Sequence, residues 1–242
     1  MAPRVFIDIG HGGSDPGAVA NGLVEKDVNL VTGMALNAEL VRHGVETMLS
    51  RSEDTKTYLA TTCPMVNKFN PNFAISLHHN SGGGDGSEVF YHYGGGKGKD
   101  LALSIIAELK AIGQNTRGAK TKKNANGKDF YMFIRETTPP AVVVEVAFLD
   151  TKDHEFVDTE EEQMRNGVAI AKATLKELGI EWIPADQEKK ALVLGEYDTL
   201  READDALAAL LSDAVKAEEM LNEANVALAK IRKALDGIKV VG

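Results

Sequence analysis

The sequence predicts an α/β fold in which a mostly parallel sheet is flanked by helices, followed by a separate α-helical region. Three observations predict it. Over the first 180 residues, short β-rich apolar runs alternate with longer segments that have a helical pattern. The 242 residues are 43% apolar and 26% charged, enough to bury a large core without disulfides. The composition then changes near Pro184. We therefore expect a first domain at 1–181, a linker at 182–195 and a helical region at 196–242.

Short apolar runs predict the strands. The run Val5–Ile9 is rich in β-formers and ends at a glycine, and Val142–Phe148 opens with three consecutive valines. A continuous apolar run of this kind is typical of a strand that is covered on both faces. The remaining strands are predicted at Glu46–Ser50, Phe73–Leu77, Glu88–Tyr93 and Tyr131–Arg135.

The segments between these runs predict helices. Asp100–Ile112 and Glu160–Leu178 both have helical apolar spacing, and each is followed by a glycine. Val28–Val41 is mostly apolar and reads as a helix. Thr57–Phe69 is a further predicted helix, although Pro64 disfavours it. Strands that alternate with helices of this length are expected to form a largely parallel sheet.

The tail carries a different pattern. From Leu200 to Ile238 apolar residues recur in steps of three and four, the seven-residue repeat typical of a coiled coil. The segment between Glu196 and Asp236 contains neither glycine nor proline, so one helix of about 60 Å is possible. We expect it to form a homodimer or higher oligomer. The alternatives are a hairpin that bends near Glu218–Asn225 and an amphipathic helix that lies on the first domain.

Charge and composition exclude several classes of function. The formal net charge is −9, which argues against a nucleic-acid partner. The single cysteine, Cys63, excludes a disulfide within the chain. No apolar run approaches the 18 or so residues of a membrane span, so membrane insertion is not expected. Met1–Arg4 leads directly into the first strand, so we expect a protein made in the cytoplasm without a signal peptide.

Four chemically active groups are predicted near strand ends, where an open α/β sheet forms its ligand crevice. His11 follows the first strand, and Glu25 precedes the helix that starts near Val28. His78 and His79 end the third strand. Glu145 lies inside a strand of apolar residues, where a charge is costly to bury unless it is paired or used.

Two histidines and a glutamate are a ligand set that leaves zinc an open fourth position. Zinc in such a site lowers the pKa of water towards 7, and a further carboxylate can accept that proton and pass it to a leaving amine. His11, Glu25, His78 and Glu145 suit these roles. Spacing alone leaves a second interpretation open, in which the histidines are ordinary polar residues after strands.

Four segments resemble the motifs of zinc-dependent N-acetylmuramoyl-L-alanine amidases of the amidase-3 type. They occur in order between residues 4 and 178, and four ordered motifs are far more specific than any one of them. The segments are Ile7–Ala18 with Glu25, Ser50-Arg51 with Asp54, Ile75–Ser81, and Arg117–Lys120 with Pro140–Asp150.

The resemblance implies hydrolysis of the amide that joins the lactyl group of N-acetylmuramic acid to L-alanine in peptidoglycan. By similarity, His11, Glu25 and His78 bind one Zn²⁺ per chain, with His78 selected over His79 by the register of its motif. Glu145 corresponds to the general base and acid.

The resemblance also implies substrate contacts and a biological setting. Asn80 and Arg51 are expected to contact substrate, and His79 is expected either to contact substrate or to support the ligands from behind. The partner is bacterial peptidoglycan, which the enzyme reaches after release from the cell as a phage or prophage endolysin, or as a spore-stage lytic enzyme. Two alternatives differ in class: another zinc amidohydrolase, such as a peptidase or deacetylase, and a catalytically silent scaffold that binds the wall through its long helix.

Overall fold

The computed structural model describes residues 2–184 and six residues of the tail, which are Lys216, Met220, Leu221, Glu223, Asn225 and Leu228. These six are helical and exposed. The chain divides into two compact units, Met1–Trp182 and Ile183–Gly242. Most of the predicted linker, and most of the predicted coiled coil or hairpin, lie outside the described residues. In the described part of the chain, every helix is too short or too polar to cross a membrane.

A six-stranded mixed sheet forms the centre of the first unit. Its strands lie in the order β4-β1-β5-β8-β6-β7, and four of the five pairings are parallel, so the predicted mostly parallel sheet is confirmed. Only β6 and β8 run antiparallel within this sheet. A short ribbon of two strands lies apart from it. The strands are β1 Arg4–Ile9, β2 Val19–Ala20, β3 Leu23–Val24, β4 Glu46–Leu49, β5 Phe73–Asn80, β6 Ser87–Tyr91, β7 Thr116–Lys120 and β8 Ala141–Phe148.

Helices cover the two faces of the sheet unequally. The larger apolar cluster joins the strands to Leu36, Ile105 and Ile170, which belong to the three long helices. The smaller cluster joins the other face to Val66 and Phe133, on the two shorter helices. The helices are α1 Glu25–Arg42, α2 Leu59–Phe69, α3 Lys97–Ala111, α4 Met132–Glu136 and α5 Glu160–Glu177, with a 3₁₀ turn at Lys152–Phe156.

Two expectations about the elements were wrong. Tyr131–Arg135 was expected to be a strand, but Met132–Glu136 is one turn of helix, and its adjacent residues Phe133 and Ile134 are both buried. Both side chains pack into the same apolar cluster, as neighbouring residues on one face of a helix can, whereas successive side chains of a strand point to opposite sides. The strand β7 was not predicted, because Thr116–Lys120 is polar and pairs only at the edge of the sheet.

The sheet order brings the candidate residues to one edge. Neighbouring β1, β5 and β8 are parallel, so their carboxyl ends lie side by side. His11 comes two residues after β1, and His78 pairs with Glu145 in the register of β5 and β8. Glu25 is the first residue of α1 rather than a residue that precedes it.

Candidate metal centre

Three side chains converge on one point. Oε1 of Glu25 lies 3.2 Å from Nε2 of His11 and 3.0 Å from Nδ1 of His78. One ligand atom from each residue lies within 4.8 Å of the other two. Two imidazole nitrogens and a carboxylate oxygen are the donor set that zinc accepts, so these residues fit the metal expected of the site. Glu25 is buried and both histidines are partly exposed, so the ligand set is open on one side.

Glycines allow this close approach. His11 has a φ of 63°, in the left-handed region, and glycines flank it on both sides. A Cβ at Gly10 would lie 2.4 Å from Cε1 of His78, and a Cβ at Gly17 would lie 2.5 Å from Oε2 of Glu25. Any larger residue at either position would displace a ligand. The turn that carries His11 therefore requires its small residues.

The electrostatics of the ligand set favour a cation. Burial opposes the charge on Glu25, but hydrogen bonds from His11 and His78 hold its pKa well below the usual range. The same bond to Glu25 raises the pKa of His11. Burial opposes the charge on His78, yet the bond to Glu25 raises its pKa to about 9. A carboxylate that attracts protons to both neighbours attracts a divalent ion for the same reason.

Further contacts orient the ligands. Oε2 of Glu25 accepts a hydrogen bond of 2.8 Å from the backbone N–H of Ala18, and Oε1 accepts one of 3.1 Å from the N–H of His79. Oδ1 of Asp15 lies 3.1 Å from Nδ1 of His11, which favours a proton on Nδ1 and leaves Nε2 free to bind a metal.

His79 faces away from the ligands. Neighbouring residues of a strand point to opposite faces, and Nδ1 of His79 contacts Oδ1 of Asn29 at 2.7 Å. Asn29 in turn donates to the carbonyl of Gly10, and His79 is only 3% exposed. Burial lowers the pKa of His79 to about 4, so the ring is neutral. These contacts favour the supporting role expected of His79, and a contact with substrate stays a prediction. Asn29 itself had no signal in the sequence beyond its place on α1.

Arg51 is also buried, and its guanidinium group bonds to backbone carbonyls. Its Nε donates to the carbonyl of Ile9 at 3.0 Å, and its Nη2 donates to those of Gly10 at 3.1 Å and Lys26 at 2.6 Å. Its Nη1 donates to the carbonyl of Glu53. The substrate contact expected of Arg51 stays a prediction, and the contacts observed are all with backbone carbonyls. The side chain therefore joins the two segments that carry His11 and Glu25, because Gly10 precedes His11 and Lys26 follows Glu25.

The rest of this sequence motif secures the same turn. Oδ1 of Asp54 accepts a hydrogen bond of 2.7 Å from the N–H of Gly13, and Oδ2 pairs with Nζ of Lys26 at 2.5 Å. Oγ of Ser50 accepts one from the N–H of Ile9. Asn80, the third expected substrate contact, lies on β5 two residues beyond His78 and is partly exposed.

Glu145 lies beside the ligands in a small cavity. The cavity has a volume of about 190 Å³ and is lined by Leu59, Ser76, His78, Tyr131, Met132, Phe133, Val143 and Glu145. Burial raises the pKa of Glu145 to about 6, and although His78 opposes the shift, the carboxylates of Glu25 and Glu88 add to it. A carboxyl group with this pKa can both accept and donate a proton near neutral pH.

The volume of a cavity does not by itself identify the candidate site. A larger cavity, of about 620 Å³, is lined by residues that include His92, Arg135 and Ala141. Ala141 is the first residue of β8, and Glu145 lies four residues, or about 13 Å, further along that strand. The ligand set belongs to the smaller cavity.

A mostly parallel α/β sheet with a His-Glu-His set and a partly buried carboxylate at the carboxyl ends of its strands defines a candidate metal-dependent hydrolase. Residues 5–176 match the family model described as N-acetylmuramoyl-L-alanine amidase. The match covers most of the chain, and the chain belongs to this family of hydrolases.

Individual relatives agree with this family. The chain is 38% identical over 152 residues to the sporulation-specific N-acetylmuramoyl-L-alanine amidase of Bacillus subtilis, an alignment that covers 61% of this chain and 57% of that protein. It is 32% identical over 162 residues to the endolysin of Bacillus phage SPP1, covering 63% of this chain and 57% of that protein. The chain thus spans a little over half the length of both relatives.

A solved structure shares the fold. The catalytic domain of CwlV, an N-acetylmuramoyl-L-alanine amidase from Bacillus (Paenibacillus) polymyxa var. colistinus, is 29% identical with a TM-score of 0.66. The likeness covers 74% of this chain and 99% of that one. The expected amidase-3 fold is thereby confirmed for the first unit.

Proposed function

We propose that the protein hydrolyses the amide between the lactyl carbonyl of N-acetylmuramic acid and L-alanine in peptidoglycan, with one zinc ion held by His11, Glu25 and His78. The observation that carries this proposal is the pairing of Glu145 with His78 across β5 and β8, which sets a proton-transfer group beside the ligand set. Membership of the amidase family supports the choice of bond.

The metal and the side chains of the cavity have separate roles in the proposed reaction. Zinc, when bound, supplies Lewis acidity that polarises the scissile carbonyl and activates water. Glu145 accepts the proton of the attacking water and delivers it to the nitrogen of L-alanine, which leaves as a free amine. Its pKa of about 6 suits both transfers. Burial raises the pKa of Tyr131, so the same cavity also contains a hydroxyl that stays protonated.

The products identify the reaction. Digestion of purified peptidoglycan should release stem peptides with a free L-alanine amino terminus and glycans with an intact lactyl carboxylate, both visible by mass spectrometry. Another zinc amidohydrolase would release different ends, such as a free sugar amine or a new peptide end. A wall-binding scaffold would adsorb to the polymer and release nothing.

For the biological role, an endolysin that acts on the wall after release from the host cell is supported by the similarity to the phage SPP1 protein. A spore-stage enzyme is the second candidate, supported by the similarity to the sporulation-specific amidase. Lysis of intact vegetative cells by added protein favours the first role.

The tail is proposed to join several catalytic domains into an oligomer. Leu221 and Leu228, two positions of the predicted apolar stripe, are 62% and 49% exposed. Burial of such side chains against a second copy would contribute about 1.5–3 kcal/mol each. Several domains linked in this way gain avidity on an insoluble polymer.

A further inference from the structure

A charged cluster lies on β6 and β7, which adjoin β8 on the side away from β5 and His78. Glu88 on β6 is 6% exposed, and its Oε1 accepts hydrogen bonds from Nε of Arg117 and, at 2.8 Å, from Nζ of Lys120. Both cations belong to the edge strand β7 and are partly exposed, with 44% and 34% of their side-chain surface accessible. Two cations share one carboxylate, so the cluster carries a surplus positive charge that reaches solvent.

The cluster is close to the reacting groups. In the antiparallel register of β6 and β8, Glu88 pairs with Glu145, so their Cβ atoms are about 5 Å apart. The guanidinium carbon of Arg117 lies 5.5 Å from the centre of the Phe148 ring, further along β8. The two cationic side chains therefore extend over β6. This strand lies one strand spacing, about 4.8 Å, from the strand that carries Glu145.

We propose that Arg117 and Lys120 bind a carboxylate of the stem peptide, which makes them specificity residues for the second amino acid after the scissile amide. This inference rests on the proposed function. The second residue of the stem peptide is D-glutamate, whose α-carboxylate is free unless it has been amidated.

Distance and chemistry both support this partner. Two residues of extended chain reach about 7 Å from the scissile bond, which is the scale of the separation between Glu145 and the cluster. Arginine and lysine are the side chains that recognise carboxylates through charge-assisted hydrogen bonds. The conversion of that carboxylate to an amide removes the charge and keeps the shape.

A matched pair of substrates tests the inference. The probes are N-acetylmuramoyl peptides of one length that contain either D-glutamate or D-isoglutamine, and the readout is the ratio of their kcat/KM values. Wild-type protein should prefer the acid by about 10-fold, and the preference should fall at high salt. Lys120→Met should bring the ratio close to 1. Because both substrates are compared in the same variant, a general loss of Glu145 function lowers both kcat/KM values and cancels in their ratio.

Controls separate charge recognition from folding. Lys120→Met leaves Arg117 to pair with Glu88, so no buried carboxylate is left alone. Arg117→Gln is the reciprocal variant and should also lower the ratio. Lys172→Met removes a partly exposed lysine that pairs with Glu108 on the helical face, and should keep the wild-type ratio.

Each outcome is decisive. A wild-type ratio near 1, or a preference that survives both Lys120→Met and Arg117→Gln, overturns the inference and leaves the proposed amidase activity intact. Absence of a new L-alanine amino terminus from both substrates, with zinc bound, overturns the proposed function and the inference with it.

Discussion

Arg51 donates a hydrogen bond of 2.6 Å to the backbone carbonyl of Lys26, the residue that follows Glu25 in the chain. The same nitrogen donates to the carbonyl of Gly10, the residue that precedes His11. One guanidinium group thus holds two metal ligands that are 14 positions apart in the sequence. A planar group with several fixed donors can do this, whereas an ammonium group cannot.

Arg51→Lys should therefore weaken zinc binding. Loss of a partner that orients ligands typically costs about 10–100-fold in metal affinity. The affinity can be measured by competition with a chromophoric chelator. Arg165→Lys, at an exposed position of α5, is the matched control and should bind zinc as the wild type does. Equal affinity in both variants would contradict the role assigned to Arg51.

The two adjacent histidines should differ in metal binding. His78→Ala removes a ligand and should lose most of its zinc at modest chelator concentration. His79→Ala should retain zinc, because the contact of His79 with Glu25 comes from its backbone N–H, which the substitution preserves. Metal content after dialysis measures both. Equal loss from the two variants would refute the ligand assignment.

Glu145→Gln should keep the fold and the zinc but lose about 10²–10⁴-fold in hydrolysis rate, the usual contribution of a general acid–base group. Glutamine has the shape of glutamate and cannot transfer the proton. Zinc content and circular dichroism serve as controls beside the rate of L-alanine amine release. Loss of zinc would make Glu145 a ligand, and retained activity would make it structural.

Cys63 should react slowly in the native protein. The side chain is buried against the sheet, and burial raises its pKa to about 11 from 9.0. That shift lowers the thiolate fraction by about 100-fold, and the thiolate is the reactive form. Reaction with a chromogenic disulfide at pH 8 should be slow in buffer and fast in guanidinium chloride. Since Cys63 is the single cysteine, prompt reaction in buffer would directly contradict its burial.

The tail should control the oligomeric state. The full chain should sediment as a dimer or larger species, and a chain that ends at Ile183 should sediment as a monomer with unchanged activity on a soluble substrate. The avidity of the oligomer should appear only on insoluble wall. Monomers in both cases would favour the helical hairpin over the coiled coil.

Several features followed from the sequence alone. The apolar runs that became β1, β5 and β8 have only one arrangement that buries them, a sheet covered on both faces, and this fixes where His11 and His78 emerge. Glu145 was recognisable because a carboxylate inside an apolar strand needs a partner or a use. The three proposed zinc ligands were named from their motifs, and the structure brings them together.

Other features depend on the tertiary structure. The polar segment Thr116–Lys120 becomes a strand only because the edge of β6 offers it backbone partners. His79 and His78 are adjacent in the sequence, yet the alternation of a strand sends one towards α1 and the other into the cavity. Arg51 donates hydrogen bonds to backbone carbonyls of residues that are distant in the sequence. The pattern of side chains along the sequence does not indicate which backbone oxygens will lie near the guanidinium group. Glu88 faces Glu145 for a similar reason, because the register of two strands is decided by the packing of the whole sheet.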